Sequence, residues 1–324
     1  MMPLMEVLSL TVSFATPAGE VEAVSGIDLA IGTGECLAIV GESGSGKSQA
    51  LLGCLGLLAA NGRARGQVHF DGMPILGLGE RELERVRGAG IGYVFQDALG
   101  SLTPHLRIGR ILSESLRCHR EADAASAMAE AQRMLERVSV PDAASRLRQF
   151  PHQLSGGTRQ RVAIAAALMP QPRLLIADEP TTALDVTVQA QVIALFRELR
   201  RDLGLALVVV THDFGVVAGL ADRVAVMYAG RIVEEGATAT VLGHPAHPYT
   251  AGLLAALPRL DDVGGEPMRT IPGTPPGPGS RPAGCAFAPR CERASDRCRH
   301  ERPALRSVSG QRVACHHPVP EDPA

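Results

Sequence analysis

Residues 41–48, GESGSGKS, keep the spacing G-x-x-x-x-G-K-[ST] between an apolar strand and a helix start, where phosphate chemistry needs it. In such a loop Gly41 opens the turn, Gly44, Ser45 and Gly46 offer backbone amides, and Lys47 places a point charge on the β and γ phosphates. Ser48 offers its hydroxyl to Mg²⁺. Residues 174–179, LLIADE, read as a buried strand ending in two carboxylates, Asp178 to ligate Mg²⁺ and Glu179 to polarise an attacking water. At residues 154–160 stands LSGGTRQ. Its Ser155 can cap the helix that follows, Gly156 and Gly157 permit close backbone approach, and the positive helix end faces an anion. Alone, the loop implies only an NTPase and the acidic strand only a turn; together they describe a triphosphate site.

These residues need a scaffold that sets each at the end of a strand or the start of a helix. The first 80 residues alternate short β-rich runs with glycine turns: VLSLTVSF, a turn near Pro17, then CLAIVG running into the loop and an Ala/Leu-rich helix. From about residue 100 to 169 the pattern turns helical, and EADAASAMAEAQRMLERV predicts an amphipathic helix of strong formers. Strands return at 174–178 and 206–212, separated by a helix over 186–202, and again at RVAVMYAG, which is the βαβ alternation of a parallel sheet. No internal repeat is visible, so the chain is one such unit and not a tandem. After about Leu260 the texture changes, and IPGTPPGPGSRPAG is too rich in proline and glycine for regular structure.

Composition narrows the classes. A chain of 324 residues that is 45% hydrophobic supports one large core plus an appendage. Its formal charge of −2 gives no whole-chain attraction to nucleic acid or anionic lipid. No apolar run approaches the roughly 18 residues of a membrane span, and the N-terminus carries no export signal pattern, so a cytoplasmic address is expected. Of seven cysteines, Cys36, Cys54 and Cys118 sit among apolar neighbours and read as small buried hydrophobes. Cys285, Cys291, Cys298 and Cys315 crowd into the tail, at intervals too wide for common zinc ribbons and unlike the ferredoxin runs; four thiols in an irregular segment still suggest a soft-ligand clip.

With LSGGTRQ following the phosphate loop and preceding the acidic strand, the sequence resembles the ABC ATPase family over about residues 5–255. The resemblance implies an α/β P-loop NTPase cassette: a mostly parallel sheet core, an N-terminal antiparallel β portion, an α-helical insert at about 100–169 and a small irregular metal-binding extension. It implies that Gln96 in YVFQD is the Q-loop glutamine, with Ser48 and Asp178 at Mg²⁺, and that His212 in VVVTHD is the switch histidine beside Glu179. Asp185 in TTALD resembles the acid linking two sites, and Phe14 the aromatic that stacks on adenine. The implied ATP-binding set also takes in Ser43 and Gln49. In this family the signature Ser155, Gly156 and Gly157 contacts nucleotide held by an opposite cassette, so pairing of cassettes is expected. Thr158 departs from the family's usual Gln or Met.

HPYT at 247–250, the proline-rich segment and CAFAPRC resemble the C-terminal extension of dipeptide and oligopeptide importer ATPases, over roughly 244–317. With ADEPTTALDVTVQAQ, they point to a D-type subunit of the peptide/nickel importer family. That resemblance implies a cassette of residues 1–255, an extension of 256–324, and a [4Fe-4S] cluster on the four tail cysteines, with zinc as the alternative. Its implied partners are a second, paralogous F-type cassette, two integral-membrane permease subunits and, indirectly, an extracytoplasmic peptide-binding protein, at the cytoplasmic face of the membrane. Residues 281–317 hold eight Arg against three acidic residues. A nucleic-acid patch is disfavoured there, because Phe287 is the only aromatic interleaved with them. Nickel as cargo, a redox-sensing tail and a soluble ABC ATPase of DNA repair or translation are the other readings; the last usually brings two cassettes or a long coiled coil, and neither appears.

Overall fold

Every residue of Cys36–Val40, Leu174–Asp178 and Ala206–Thr211 is buried, as near-continuous apolar strands must be when both faces of a parallel sheet are covered. In a computed structural model that describes residues 2–182, 184–257 and 270–320, the chain gathers into two compact units. One is drawn from Met1–Met5, Ala30–Cys36 and Phe70–Thr211, the other from Glu6–Leu29, Leu37–His69 and His212–Ala324.

In the first unit Ile91–Val94, Leu174–Asp178 and Ala206–Thr211 pair in parallel, with Ile91 opposite Leu174 and Leu174 opposite Ala206. The helix Val186–Leu203 makes the crossover between the last two strands. Asp185 caps its start, Oδ1 accepting from Val188 N at 2.9 Å, and Gly204 ends it at φ 62°, where a left-handed C-cap favours glycine. Helices Ile108–His119, Ala124–Arg137 and Gly156–Leu168 occupy the stretch read as helical and pack on one another. Ala127, Ala131, Met134 and Leu135 form the buried stripe of the second of these, at helical spacing, and Asp123 caps it by accepting from Ala125 N and Ser126 N. Cys118 is exposed, contrary to the expectation of a buried hydrophobe, because it lies two residues past Leu116 and off the stripe of Ile108, Leu112 and Leu116. Cys36 and Cys54 are buried as expected, and burial pushes the Cys54 thiol up to about 12.

In the second unit Cys36–Val40 runs parallel to Arg223–Tyr228, Leu37 opposite Arg223. Arg231–Ala237 returns antiparallel through Ala229 and Gly230, both at positive φ, the backbone of a two-residue hairpin turn. The strands Gly19–Ile31, Met5–Thr16 and Gly62–Phe70 lie side by side in a separate sheet. Residues 270–284 are irregular as read, but the tail beyond them is not: Gln311–Val313 pairs antiparallel with Arg231–Ala237, and Arg306–Val308 pairs with Gln311–Val313. The signal for that hairpin was Ser309-Gly310, two residues of positive φ between short strands. Buried Glu235 receives Arg312 at 3.0 Å and also pairs with Arg223, which pins the added edge. The boundary expected near Leu260 lies outside the described residues. Among the described residues no helix is long and apolar enough to cross a membrane.

Candidate functional site

The strand Cys36–Val40 delivers the chain into the glycine loop, and the helix Lys47–Cys54 takes it away. Gly41 sits at φ 155°, and a Cβ there would collide with the Met227 carbonyl, so only glycine fits the close approach. Gly46, at φ 100°, is the left-handed residue that turns the loop into the helix. Lys47 is buried, its Nζ donating to the carbonyls of Gly41 at 2.8 Å and Glu42 at 3.0 Å. Ser45 is buried too, with a hydroxyl that lacks a partner among the described residues, while Ser43 and Gly44 are exposed and Ser48 and Gln49 half-buried. Phe14, half-buried in the same unit, lies with Cε1 at 2.8 Å from where a Cβ on Gly62 would stand. His212 is exposed just after Ala206–Thr211, before a helix capped by Asp213.

In the first unit the acidic strand ends with Asp178 buried and Glu179 partly exposed. Tyr93 donates to Asp178 Oδ2 at 3.0 Å. Gln96 Nε2 and Thr182 Oγ1 donate to Glu179 Oε2 at 3.0 and 2.9 Å. Glu179 is held at φ 46°, a conformation that strains a residue with a side chain and recurs at functional sites. Its N–H donates to the Val210 carbonyl at 2.9 Å, which locks that geometry to the neighbouring strand.

Ser155 caps the helix Gly156–Leu168, its Oγ accepting from Thr158 N at 3.3 Å. The Thr158 hydroxyl also lies 2.9 Å from Ser155 Oγ, a side-chain contact that the usual Gln or Met would not make in this form. Gly157 is required by packing, since a Cβ would come within 2.8 Å of Val188 Cγ1, whereas a Cβ on Gly156 would make only ordinary contact with Leu184 Cδ2 at 4.0 Å. The exposed Asp185 serves as the helix cap described above.

Sequence reasoning missed the group that grips the loop from the C-terminal side. Arg290 lies between Cys285 and Cys291, and its side chain is 6% exposed. Its Nη1 and Nη2 donate to the two carboxylate oxygens of Glu42, at 2.8 and 3.0 Å, a bidentate fork onto the second residue of the glycine loop. Arg290 Nε donates to the Pro272 carbonyl at 2.9 Å, and Tyr228 Oη lies 3.3 Å from Nη1. The hydrogen bonds to Glu42 raise the Arg290 pKa. Tyr249, from the HPYT segment, accepts from Glu42 N at 2.9 Å, and burial pushes its phenol up. Phe287, Tyr228 and Tyr249 pack ring to ring beneath, at centroid distances of 4.5 to 5.4 Å. No local pattern announces this, because 248 residues separate the paired charges.

Cys285, Cys291, Cys298 and Cys315 line one pocket, yet among the described residues no group of three or more His, Cys, Asp or Glu is disposed to hold a metal ion. This overturns the expected [4Fe-4S] cluster and the zinc alternative. Cys285 and Cys291 pack against the apolar cluster around Tyr228, Tyr249 and Phe287, and Cys315 packs with Ala246 and Val313; burial raises the pKa of all three, that of Cys315 to about 11. Cys315 Sγ accepts from His317 N at 3.4 Å, and Cys298 Sγ lies 3.6 Å from Ser295 Oγ. The tail is held instead by Phe287 in the core, the strand pairing and the arginine ion pairs.

A strand, glycine loop and helix joined to a capped LSGG-type helix and a DE-terminated strand define an ATP-binding cassette of the ABC type. Residues 24–182 match the ABC transporter family, and residues 233–298 match the oligopeptide/dipeptide transporter C-terminal region. The dimeric structure of a bacterial ABC transporter cassette aligns with a TM-score of 0.65 at 30% identity, over 72% of this chain and 98% of that one. A dimeric post-hydrolysis state of the same cassette, bound to ADP and Pi, aligns with the same TM-score and coverage. The oligopeptide transport ATP-binding protein OppD of Salmonella typhimurium is 51% identical over 318 residues, covering 98% of this chain and 95% of that protein. OppD of Escherichia coli is 50% identical over 318 residues, covering 98% and 94%; that of Bacillus subtilis is 48% identical over 290, covering 89% and 81%. The chain belongs to the family of oligopeptide transport ATP-binding proteins.

Proposed function

We propose that this chain is the ATP-hydrolysing subunit that energises oligopeptide import through an ABC transporter. The likeness to a named oligopeptide transport ATP-binding protein at 51% identity over 98% of the chain carries the reading. The loop fits a phosphate-bearing nucleotide: a buried Lys47, glycine positions that admit no Cβ, and a buried Ser45 hydroxyl without a protein partner among the described residues. Mg²⁺ would supply charge neutralisation to the phosphate oxygens. Ser48, Asp178 and Gln96 would hold it. Residues 41–49 grip the phosphates, Phe14 stacks on adenine, Glu179 accepts the proton of the attacking water, and His212 steadies the transferred phosphoryl group. Ser155, Gly156 and Gly157 engage nucleotide held by a second cassette, and Asp185 links the two sites.

In this reading residues 1–255, the helical insert at about 100–169 included, are the motor, and 256–324 is an extension that braces it. The partners are a paralogous F-type cassette, two integral-membrane permeases and, through them, an extracytoplasmic peptide-binding protein. The chain sits peripherally on the cytoplasmic face, and closing and reopening of the cassette pair turns the permeases between their two orientations. Purification from detergent-solubilised membranes is expected to bring down two polytopic subunits and a second cassette, with ATP-dependent uptake of labelled oligopeptide in vesicles of the complex. Uptake of Ni²⁺ in place of peptide would redirect the cargo. Retention on DNA or ribosomes without membrane subunits would sink the transport reading. Gly41→Ala is expected to lose nucleotide affinity by more than about tenfold in a fluorescent-nucleotide titration, since the loop must shift away from the Met227 carbonyl.

A further inference from the structure

The basic surplus of residues 281–317 is not used by the nucleotide chemistry, and much of it is paired inside the tail and the sheet. Arg290 holds Glu42, Arg297 holds Glu301, Arg299 holds Asp296 and Arg312 holds Glu235. Arg281 and Arg302 differ. With Arg231 of the strand Arg231–Ala237 they line a single cleft whose apolar walls include Ile232, Val233 and Phe287.

These guanidiniums have little carboxylate to share. Glu22 Oε1 lies 3.5 Å from Arg281 Nη1, and the Glu22 side chain is 44% exposed. Arg281 Nη2 donates to the Ala23 carbonyl at 2.9 Å and presses against Gly230, where a Cβ would collide with it. Its Nε is buried without a partner among the described residues. Arg302 Nε donates to the Ala283 carbonyl at 3.1 Å, leaving the rest of its fork to the cleft. Burial lowers the pKa of Arg231 and Arg281, and Arg302 adds to it in both while Glu22 opposes. Like charges gathered at a half-dry surface repel one another, and an anion that spans them relieves both the repulsion and the unmet donors.

We propose that this cleft binds a small organic oxyanion, a carboxylate or phosphate group on an apolar body. Arg231 and Arg302 receive the oxyanion, Arg281 backs them from a fixed position, and Ile232 and Phe287 receive the hydrocarbon. Planar guanidinium forks match both headgroups, so the chemistry they share defines the site.

The test is calorimetric titration of the full chain with hexanoate, hexyl phosphate, hexanol and inorganic phosphate, each with and without saturating ATP·Mg²⁺. Binding of hexanoate, of hexyl phosphate or of both is expected, unaffected by ATP; which of them binds identifies the headgroup. Hexanol should not bind, and inorganic phosphate should bind at least about tenfold more weakly than the bound hexyl anion. Arg231→Gln and Arg302→Gln should each weaken that anion by about tenfold, the loss of charge-assisted hydrogen bonds. Arg302 is exposed, so its variant keeps the parent melting temperature and separates lost binding from lost folding. Hexanol binding as tightly as hexanoate, both anions failing to bind, displacement of the anions by ATP, or an Arg302→Gln protein that binds like the parent would each overturn the site.

Discussion

Glu179→Gln is expected to bind ATP within about twofold of the parent while its steady-state turnover falls by two or more orders of magnitude, the usual worth of a positioned general base. The substitution keeps the volume of the side chain and an oxygen for Thr182 Oγ1, so the strained turn after Leu174–Asp178 survives. Asp178, with its hydrogen bond from Tyr93, and the glycine loop are untouched, so binding contacts persist. What is lost is the negative charge that takes the water's proton. Equilibrium ATP binding and phosphate release, measured side by side, separate the two effects. Turnover near the parent rate would remove Glu179 from its role and leave its left-handed backbone without a purpose.

The second large effect is expected at Arg290. Removing one partner of a buried ion pair leaves the other charge uncompensated, at a cost of about 3–5 kcal/mol when both are fully buried. Glu42 is a quarter exposed, so Arg290→Gln should lose about 2–3 kcal/mol of stability, the upper figure discounted for solvent. The same change frees the second residue of the glycine loop from both carboxylate hydrogen bonds, so ATP affinity should fall by about tenfold or more with the turnover of bound ATP nearly kept. Arg290→Lys keeps the charge but cannot span both oxygens, and should recover stability better than affinity. The Glu42→Gln/Arg290→Gln double variant should be less damaged than the sum of the singles, because no charge is left stranded. Melting temperature and nucleotide titration across the parent, Arg290→Gln, Arg290→Lys, Glu42→Gln and the double variant check this. Unchanged ATP affinity in Arg290→Gln would make the pair a fastening of the tail alone.

The tail shows where sequence reasoning stops. Its glycine- and proline-rich segment read correctly as irregular, but the three-residue strands beyond it were too short to carry a periodicity, and their only trace was Ser309-Gly310. The four cysteines looked like a metal clip because identity and spacing were all that could be seen. Whether thiols gather around an ion or pack against apolar groups depends on side chains from distant segments, and here Cys285 and Cys291 lie against the cluster of Tyr228, Tyr249 and Phe287, and Cys315 against Ala246 and Val313. Cys118 failed for a smaller reason: an apolar neighbourhood in sequence does not say on which side of a helix a residue falls.

What the amino-acid sequence determined alone was the phosphate loop, the acidic strand end, the capped signature helix and the parallel-strand alternation. Each is encoded within a few residues, by glycine φ angles, by a serine or aspartate accepting from an amide three residues on, and by apolar runs long enough to need burial on both faces. The tertiary structure decided which charge meets which: Arg290 with Glu42, Arg312 with Glu235, and three arginines around one cleft. Those pairings depend on strand register and on the route of a chain hundreds of residues long, and no short-range interaction records either.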